Sequence, residues 1–557
     1  MLAKRLIYGL LLGVTAGPPL TPPVGGGLSR LAPPVGGDDD CHAQDSLLLR
    51  DYQFVKQYDG WLTSSNAAGL NRYNRANIGE AKLSLSHEEG GLTDYFESPS
   101  ATQLSAATES FYRISERAVV FGRIAYDNFS GKEMAGSAFI DPTRRPFDIV
   151  EDSLTNTGKK HRDTYQLTGA VGMDVWRGLA LGLRLDYTAA NYAKYKDLRH
   201  KNKLMDLTAS AGLYLPLARF ANVGANYLYH RNTESITFGT YGKSDKVYQS
   251  LINYGNFIGQ VEQFGSYGFT DKSREMPLFD ESHGLAVQLE LTPLKRLTFL
   301  NQFTYARHNG YYGRKSPYTI TFTNHHADSY TYQGTLALQG RQSLHQLMLS
   351  VEAENLQNNA NNYRELQNEA GSYYYEYYDD VKTANKLWVN THIAYTAHLG
   401  IRHELPIWTL RAAVNTMHRK QTAYVYPYFR RQTLDNTTLQ LEGTRNVILK
   451  KGVLSVSANL SYQKGSGEPY EDDTFIPPSD KQTAPPEMAA YLWREYQYLT
   501  AAQYGIGGSV RYAFIFPETR LNTHIQLGIH HRKANETFDY SNGKDHTQVS
   551  LAIGCQF

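Results

Sequence analysis

The chain carries 18 histidines, and the pairs His325-His326 and His530-His531 stand out together with His308 and His418. Imidazole is the commonest transition-metal ligand, but a metal centre needs three or four donors converging on one point. On a strand, adjacent histidines point to opposite faces, so each pair supplies one ligand at most and the others must come from elsewhere. Histidine is also an ordinary interior and interfacial residue, and the expectation is no metal centre and no cofactor. The run Tyr373, Tyr374, Tyr375, Glu376, Tyr377, Tyr378, Asp379, Asp380 is the most biased segment. Its rings would stack on sugars or pack on a partner protein at little entropic cost, making Tyr373, Tyr374, Tyr375, Tyr377 and Tyr378 a candidate surface contact loop. The competing reading is an aromatic girdle at a membrane interface. Glu468, Glu471, Asp472 and Asp473 form an acidic cluster without the spacing of a calcium loop, and they read as a solvated loop.

The elements that position these residues alternate with period two. Leu179, Leu181, Leu183, Leu185 and Tyr187 interleave with Ala180, Gly182, Arg184 and Asp186. Leu285, Val287, Leu289 and Leu291 interleave with Ala286, Gln288 and Glu290. The same pattern runs through 454–462, 525–530 and 548–557, and it places one set towards an apolar phase and the other towards a polar one. Short connections near 115–117, 177–178, 216–219, 292–295, 340–343, 403–406, 450–452 and 516–519 alternate with longer polar ones near 129–160, 197–202, 241–281, 313–317, 360–384, 425–432, 466–497 and 535–545. A soluble sandwich alternates too, but short turns at one end and long loops at the other mark a transmembrane barrel. The expected fold is all-β: a single large antiparallel transmembrane β-barrel of about 18 strands, within a range of about 14 to 18, with short periplasmic turns and long surface loops. Tyr 42 beside Gly 46 fits aromatic girdles and bends, whereas Lys+Arg 56 against Asp+Glu 54 leaves no basic excess for nucleic acid.

Ionised groups cannot face lipid cheaply. Arg184, Asp186, Glu290, Glu352, Arg411 and Arg511 therefore read as lumen-facing charges, serving either a salt-bridged interior or a weakly selective pore. At the N-terminus, Lys4-Arg5 followed by the apolar Leu6–Val14 reads as a secretory signal over residues 1–43, too short to span a bilayer as a helix. Cleavage after Ala43 would remove Cys41 and leave Cys555 alone, without an intramolecular disulfide. Residues 44–75 are an N-terminal periplasmic segment or lumen plug, and 76–557 the barrel. No Gly-x-Ser-x-Gly, His-Glu-x-x-His or phosphate-cradling motif appears, and an enzyme is not expected.

Within the N-terminal segment, Trp61-Leu62-Thr63-Ser64-Ser65-Asn66-Ala67-Ala68-Gly69-Leu70 resembles the Asn-Pro-Ala-Gly-Leu stretch of fatty-acid-transporter-like outer-membrane barrels, with Ala67 where that family has proline. The resemblance implies a hatch of short helices tucked into the lumen, with Trp61, Asn66, Gly69 and Leu70 as its candidate residues. The terminal strand ending on Phe557 resembles the signal that the barrel-assembly machinery of bacterial outer membranes reads. Nearly the whole mature chain resembles the uncharacterised outer-membrane barrels of diderm bacteria. These resemblances imply a bacterial outer-membrane location, surrounding outer-membrane lipid, and a transport barrel of unknown substrate that is a pore or ligand channel. The alternative is a non-conducting barrel that binds an outer-membrane receptor or surface lipoprotein through its tyrosine-rich loops.

Overall fold

The computed structural model describes residues 49–557 apart from 152–153, 243–244, 266–267, 517–520 and 542. The expected signal segment 1–43 lies outside the described residues, as do 44–48 and most of the turn expected at 516–519. Among the described residues the strands are β1 (Ile78–Glu89), β2 (Ser100–Ser115), β3 (Ala118–Met134), β4 (Asp148–Glu151), β5 (Gly158–Trp176), β6 (Leu179–Lys194), β7 (Arg199–Ala218), β8 (Ala221–Gly239), β9 (Gln249–Gly255), β10 (Ile258–Gln263) and β11 (Met276–Leu294). They continue with β12 (Leu297–Ser316), β13 (Thr319–Gln339), β14 (Ser343–Gln367), β15 (Tyr373–Leu399), β16 (Trp408–Val425), β17 (Tyr428–Leu449), β18 (Gly452–Gly467), β19 (Glu471–Thr474), β20 (Gln503–Ile515), β21 (Asn522–Ala534) and β22 (Asp545–Gln556).

All but β4, β9, β10 and β19 form one closed antiparallel barrel of eighteen strands. β1 pairs with β2 on one side and with β22 on the other, Glu80 opposite Gln556 and Glu89 opposite Thr547, so the wall has no free edge. Phe557 finishes the seam. Its amide donates to the Gly79 carbonyl at 3.0 Å, its backbone oxygen accepts from the Gly79 amide at 2.8 Å, and its ring fills the space where a Gly79 side chain would stand.

The period-two pattern sorts the wall into two solvents. Leu181, Leu183, Leu185, Leu285, Val287, Leu289, Ile525, Leu527 and Ile529 are large apolar side chains exposed on the outside, while Ala180, Ala286, Gln288 and Glu290 between them are buried inside. The short-turn end is tight. Arg177 and Gly178 both take positive φ (46° and 85°), the left-handed pair a two-residue hairpin turn needs to follow strand twist.

Several connections expected as loops are paired strand. The region 360–384 is the end of the β14–β15 hairpin, closed by residues 368–372, and its register shifts at Asn358/Asn359 and Asn362/Tyr363. Tyr373–Tyr378 are thus strand residues and not loop. Similarly β16 and β17 are joined by Tyr426 and Pro427 alone, so 425–432 is almost entirely strand. Above the lipid band both faces of a strand are wet, so alternation disappears from the sequence while the ladder of backbone bonds continues.

Candidate functional site: the filled lumen

The N-terminal segment is built from three short helical turns, each capped by its own side chain. Asp51 accepts from the Phe54 amide at the start of helix Tyr52–Tyr58. Asp59 accepts from Trp61 ahead of the 3-10 turn Gly60–Thr63, and Asn66 accepts from Ala68 ahead of the turn Ala67–Arg72. Such caps satisfy amides that would otherwise be orphaned away from water. Contacts run around the circumference: Gln53 to Glu80 of β1 (3.4 Å), Lys56 to Glu109 of β2 (3.0 Å), Asn71 to Asp174 of β5 (3.0 Å) and Ser64 to Gln302 of β12 (2.8 Å). On the far side, Gln346 of β14 donates to the Gln57 carbonyl (2.9 Å) and Arg50 pairs with Glu404 before β16 (2.6 Å). A segment touching all these strands of a closed barrel lies within it.

Trp61, Asn66, Gly69 and Leu70 come together in this segment. The Trp61 indole donates to Glu290 at 2.7 Å and meets Tyr214 edge-on, while the Asn66 amide nitrogen donates to Leu213 O (2.8 Å) and Gln288 Oε1 (3.0 Å). Gly69 lies on the face of Trp61, and Leu70 joins Tyr52, Val55 and Tyr73 in an apolar cluster with Phe111 and Phe121 of the wall. The wall opposite is bare. Gly172, Gly182 and Gly212 sit directly across from one another on β5, β6 and β7. A Cβ at Gly182 would stand 1.9 Å from Ala68 N, one at Gly172 2.6 Å from Ala67 O, and one at Gly212 2.2 Å from Asn66 Oδ1. This row of missing side chains lets the turn Ala67–Arg72 lie against the sheet backbone.

At the opposite end the long connections fold inward. β4, β9 and β10 make a three-stranded sheet, and Phe147 packs among Phe139, Phe269 and Tyr312. Tyr95, Phe257 and Tyr491 form a second aromatic knot that involves helix Ala489–Thr500. Ion pairs tie this layer to the wall. Arg419 is bidentate to Glu495 (2.8 Å each), Arg145 meets Glu234 (2.7 Å), and Arg430 bridges Asp472 and Glu487. The acidic cluster is accordingly divided, Asp472 serving Arg430 and the strand β19 pairing with β17. Asp148 is fully buried, accepts from Ser137 (2.6 Å) and from the Tyr95 hydroxyl (3.0 Å), and burial pushes its carboxyl up to about 6.

The six wall charges do not converge. Glu290 and Arg511 serve the N-terminal segment, Glu290 through Trp61 and Arg72 and Arg511 through Asp51 (3.8 Å). Arg184 and Asp186 pair with each other along one strand (2.7 and 2.9 Å), and Arg411 reaches His392 (3.2 Å). Glu352 holds Arg144 of an inward loop (2.5 and 3.0 Å) beside a cavity of about 210 Å³ that is also lined by Asp141, His230, Asp280, His308, His325 and Glu354. Of the histidine pair, His325 is buried in this cavity and His326 lines an outward hollow with Glu281 and Arg307. His418 pairs with Asp435 at 2.8 Å, and His531 meets Thr547 at 2.8 Å. The tyrosine run lies on the β14–β15 hairpin, with Tyr373, Tyr377 and Tyr378 exposed and Tyr375 bonded to Glu365. Sequence reasoning missed His230 and Asp280, because only the strand register brings them beside His308.

An eighteen-stranded wall with an apolar exterior and a filled polar interior defines a transmembrane β-barrel of the outer-membrane type. The chain belongs to the family of unknown function DUF6850, whose model matches residues 67–557. No curated protein matches it. Among solved structures it is similar to the ferric preacinetobactin receptor BauA of Acinetobacter baumannii, at 10% identity over 86% of this chain and 80% of that one, with a TM-score of 0.37. It is also similar to the outer membrane transporter YddB of Escherichia coli, at 8% identity over 87% and 81%, TM-score 0.39. A deletion mutant of the monoaromatic hydrocarbon channel TodX gives 9% identity over 88% and 92%, TM-score 0.31. At such identity the likeness extends no further than the barrel.

Proposed function

We propose that the chain is a transport barrel of a bacterial outer membrane, closed at rest by the N-terminal segment at the periplasmic end and by the inward loops at the outer end. The observation that carries this reading is how the segment is held. It touches the wall through side chains and a glycine seat, and among the described residues its backbone-to-backbone hydrogen bonds with the wall are those of Leu49 and Asp51 to Glu404. Such a segment can leave as a unit without opening the strand ladder. A wall of this size otherwise encloses water. The cavity between the inward loop and the wall is lined by Asp141, Arg144, Arg145 and Glu354, which suits a hydrophilic solute.

Planar-bilayer conductance tests the proposal. The intact barrel should be silent or open rarely, and deletion of 44–75 should give steady openings. A truncated barrel that folds, shown by heat-modifiable migration, yet stays silent overturns the reading. The second reading, a non-conducting barrel docking a receptor or surface lipoprotein, is favoured by the exposed Tyr373, Tyr377 and Tyr378. A silent truncated barrel together with a specific partner crosslinked at Tyr378 would select it.

A further inference from the structure

The wall beside the cavity under the inward loop brings together three possible metal donors. His230 of β8, Asp280 of β11 and His308 of β12 offer one nitrogen or carboxylate oxygen each, and these atoms all lie within 4.8 Å of one another. The register explains why. Ser282 stands directly opposite both His230 and His308, and Asp280 is the next inward residue on the same strand. Three adjacent paired strands thus aim three donors at one point, on a scaffold far stiffer than a loop.

The surroundings are built for the same point. One oxygen of Asp280 lies 3.0 Å from His308 Nδ1, and the other lies 3.2 Å from Nε2 of His325 on β13. His325 reaches Asp280 only because residue 310, which pairs with both, is glycine, and a Cβ there would stand 2.3 Å from the His325 ring. The other nitrogen of His325, Nδ1, is buried and has no hydrogen-bond partner among the described residues. Asp206 holds His230 Nε2 at 2.9 Å and is itself bonded by Asn232 at 2.6 Å, the kind of outer carboxylate that fixes a ligating imidazole.

We propose that His230, Asp280 and His308, with His325 beside them, form a binding site for a divalent first-row transition-metal ion, Zn²⁺ being the reference case. Two imidazoles and a carboxylate are the donor set such ions take, and they disfavour the hard ions Ca²⁺ and Mg²⁺, which want oxygen alone. In a tetrahedral site with bonds of about 2.1 Å the donors stand roughly 3.4 Å apart, which side-chain rotations reach from the present spacing. Three protein donors leave a further position open to the cavity for water or a solute. The site does not depend on whether the barrel conducts.

The test uses untagged full-length barrel in detergent, stripped with chelator. Zn²⁺ titration by calorimetry should give one equivalent bound per barrel, and Co²⁺ should give visible d–d absorption of a low-coordinate, nitrogen-ligated ion. His308→Ala and Asp280→Asn should each weaken Zn²⁺ by about tenfold or more, whereas His418→Ala, which alters a histidine outside this cluster, should leave the affinity unchanged. A wild-type barrel showing neither stoichiometric Zn²⁺ uptake nor the Co²⁺ bands overturns the site, and so does a folded Asp280→Asn variant of undiminished affinity. The Co²⁺ spectrum needs only the wild-type chain, so the proposal stays exposed even if a variant fails to assemble. Conductance of the 44–75 deletion reads the transport proposal separately.

Discussion

Leu183 and Arg184 are sequence neighbours in different solvents. Leu183 is 61% exposed on the outer wall, and Arg184 pairs with Asp186 on the inner one. Arg at 183 would enter hydrocarbon, and we expect a loss of about 2–4 kcal/mol for a site near the midplane, read by urea unfolding in lipid. Arg184→Leu should cost less, since Asp186 keeps the Thr168 hydroxyl (2.8 Å) and a wet interior. The reverse order would place the register one residue off. Asp148 makes a second case. Because burial raises its carboxyl to about 6, its folded form holds a proton more tightly than the unfolded one. Its stabilising contribution is whole below roughly pH 4, the unfolded value, and is lost as pH rises through about 6. Lys386 and Lys160 are the cations near it, and Tyr95 and Ser137 donate to it. Hydrogen-exchange protection of β4 and β9, taken relative to the intrinsic exchange rate at each pH, should therefore be weaker at pH 8 than at pH 5, and Asp148→Asn should flatten the difference. At this scale alternation made the side of the wall legible, as at Leu183 and Arg184. It could not bring His230, Asp280 and His308 together, because their proximity is a property of pairing between strands far apart in the chain.

Strands declared themselves wherever one face met lipid, as in β6, β11 and β22. Where both faces are wet the signal vanished, and the upper halves of β14 and β15 read as a loop although their ladder runs to Gln367 and Tyr373. The inward sheet of β4, β9 and β10 was equally invisible, being short strands whose partners are set by how three connections fold back into one lumen. The glycine row of β5, β6 and β7 belongs to this scale too, since each glycine is unremarked until pairing aligns it with the next. Gly182→Val should place methyl groups where Ala68 lies, at an overpacking cost of about 1–3 kcal/mol borne by the segment and not by the ladder. The expected result is a barrel with normal heat-modifiable migration whose Trp61 fluorescence becomes accessible to aqueous quencher. Unchanged quenching would mean that the seat does not hold the segment.

Over the whole molecule, both termini of the described chain meet at the short-turn end, where Phe557 pairs with Gly79 and Arg50 and Arg75 converge on Glu404. If that end is periplasmic, a tag inserted near Asp379 should be labelled on intact cells and one near Glu404 only after permeabilisation. Labelling near Glu404 on intact cells would invert the orientation. The contacts of the N-terminal segment also carry a consequence in time. It precedes every wall strand in the chain, yet it touches β1 and β2 near the start, β11 and β12 midway, and Arg511 of β20 near the end. A segment that orders first would offer each of these strands a common surface, so that curvature is copied from it instead of discovered by a bare sheet. On the proposed reading the segment is then a mandrel as well as a stopper: the residues that close the lumen are also those around which the wall is bent.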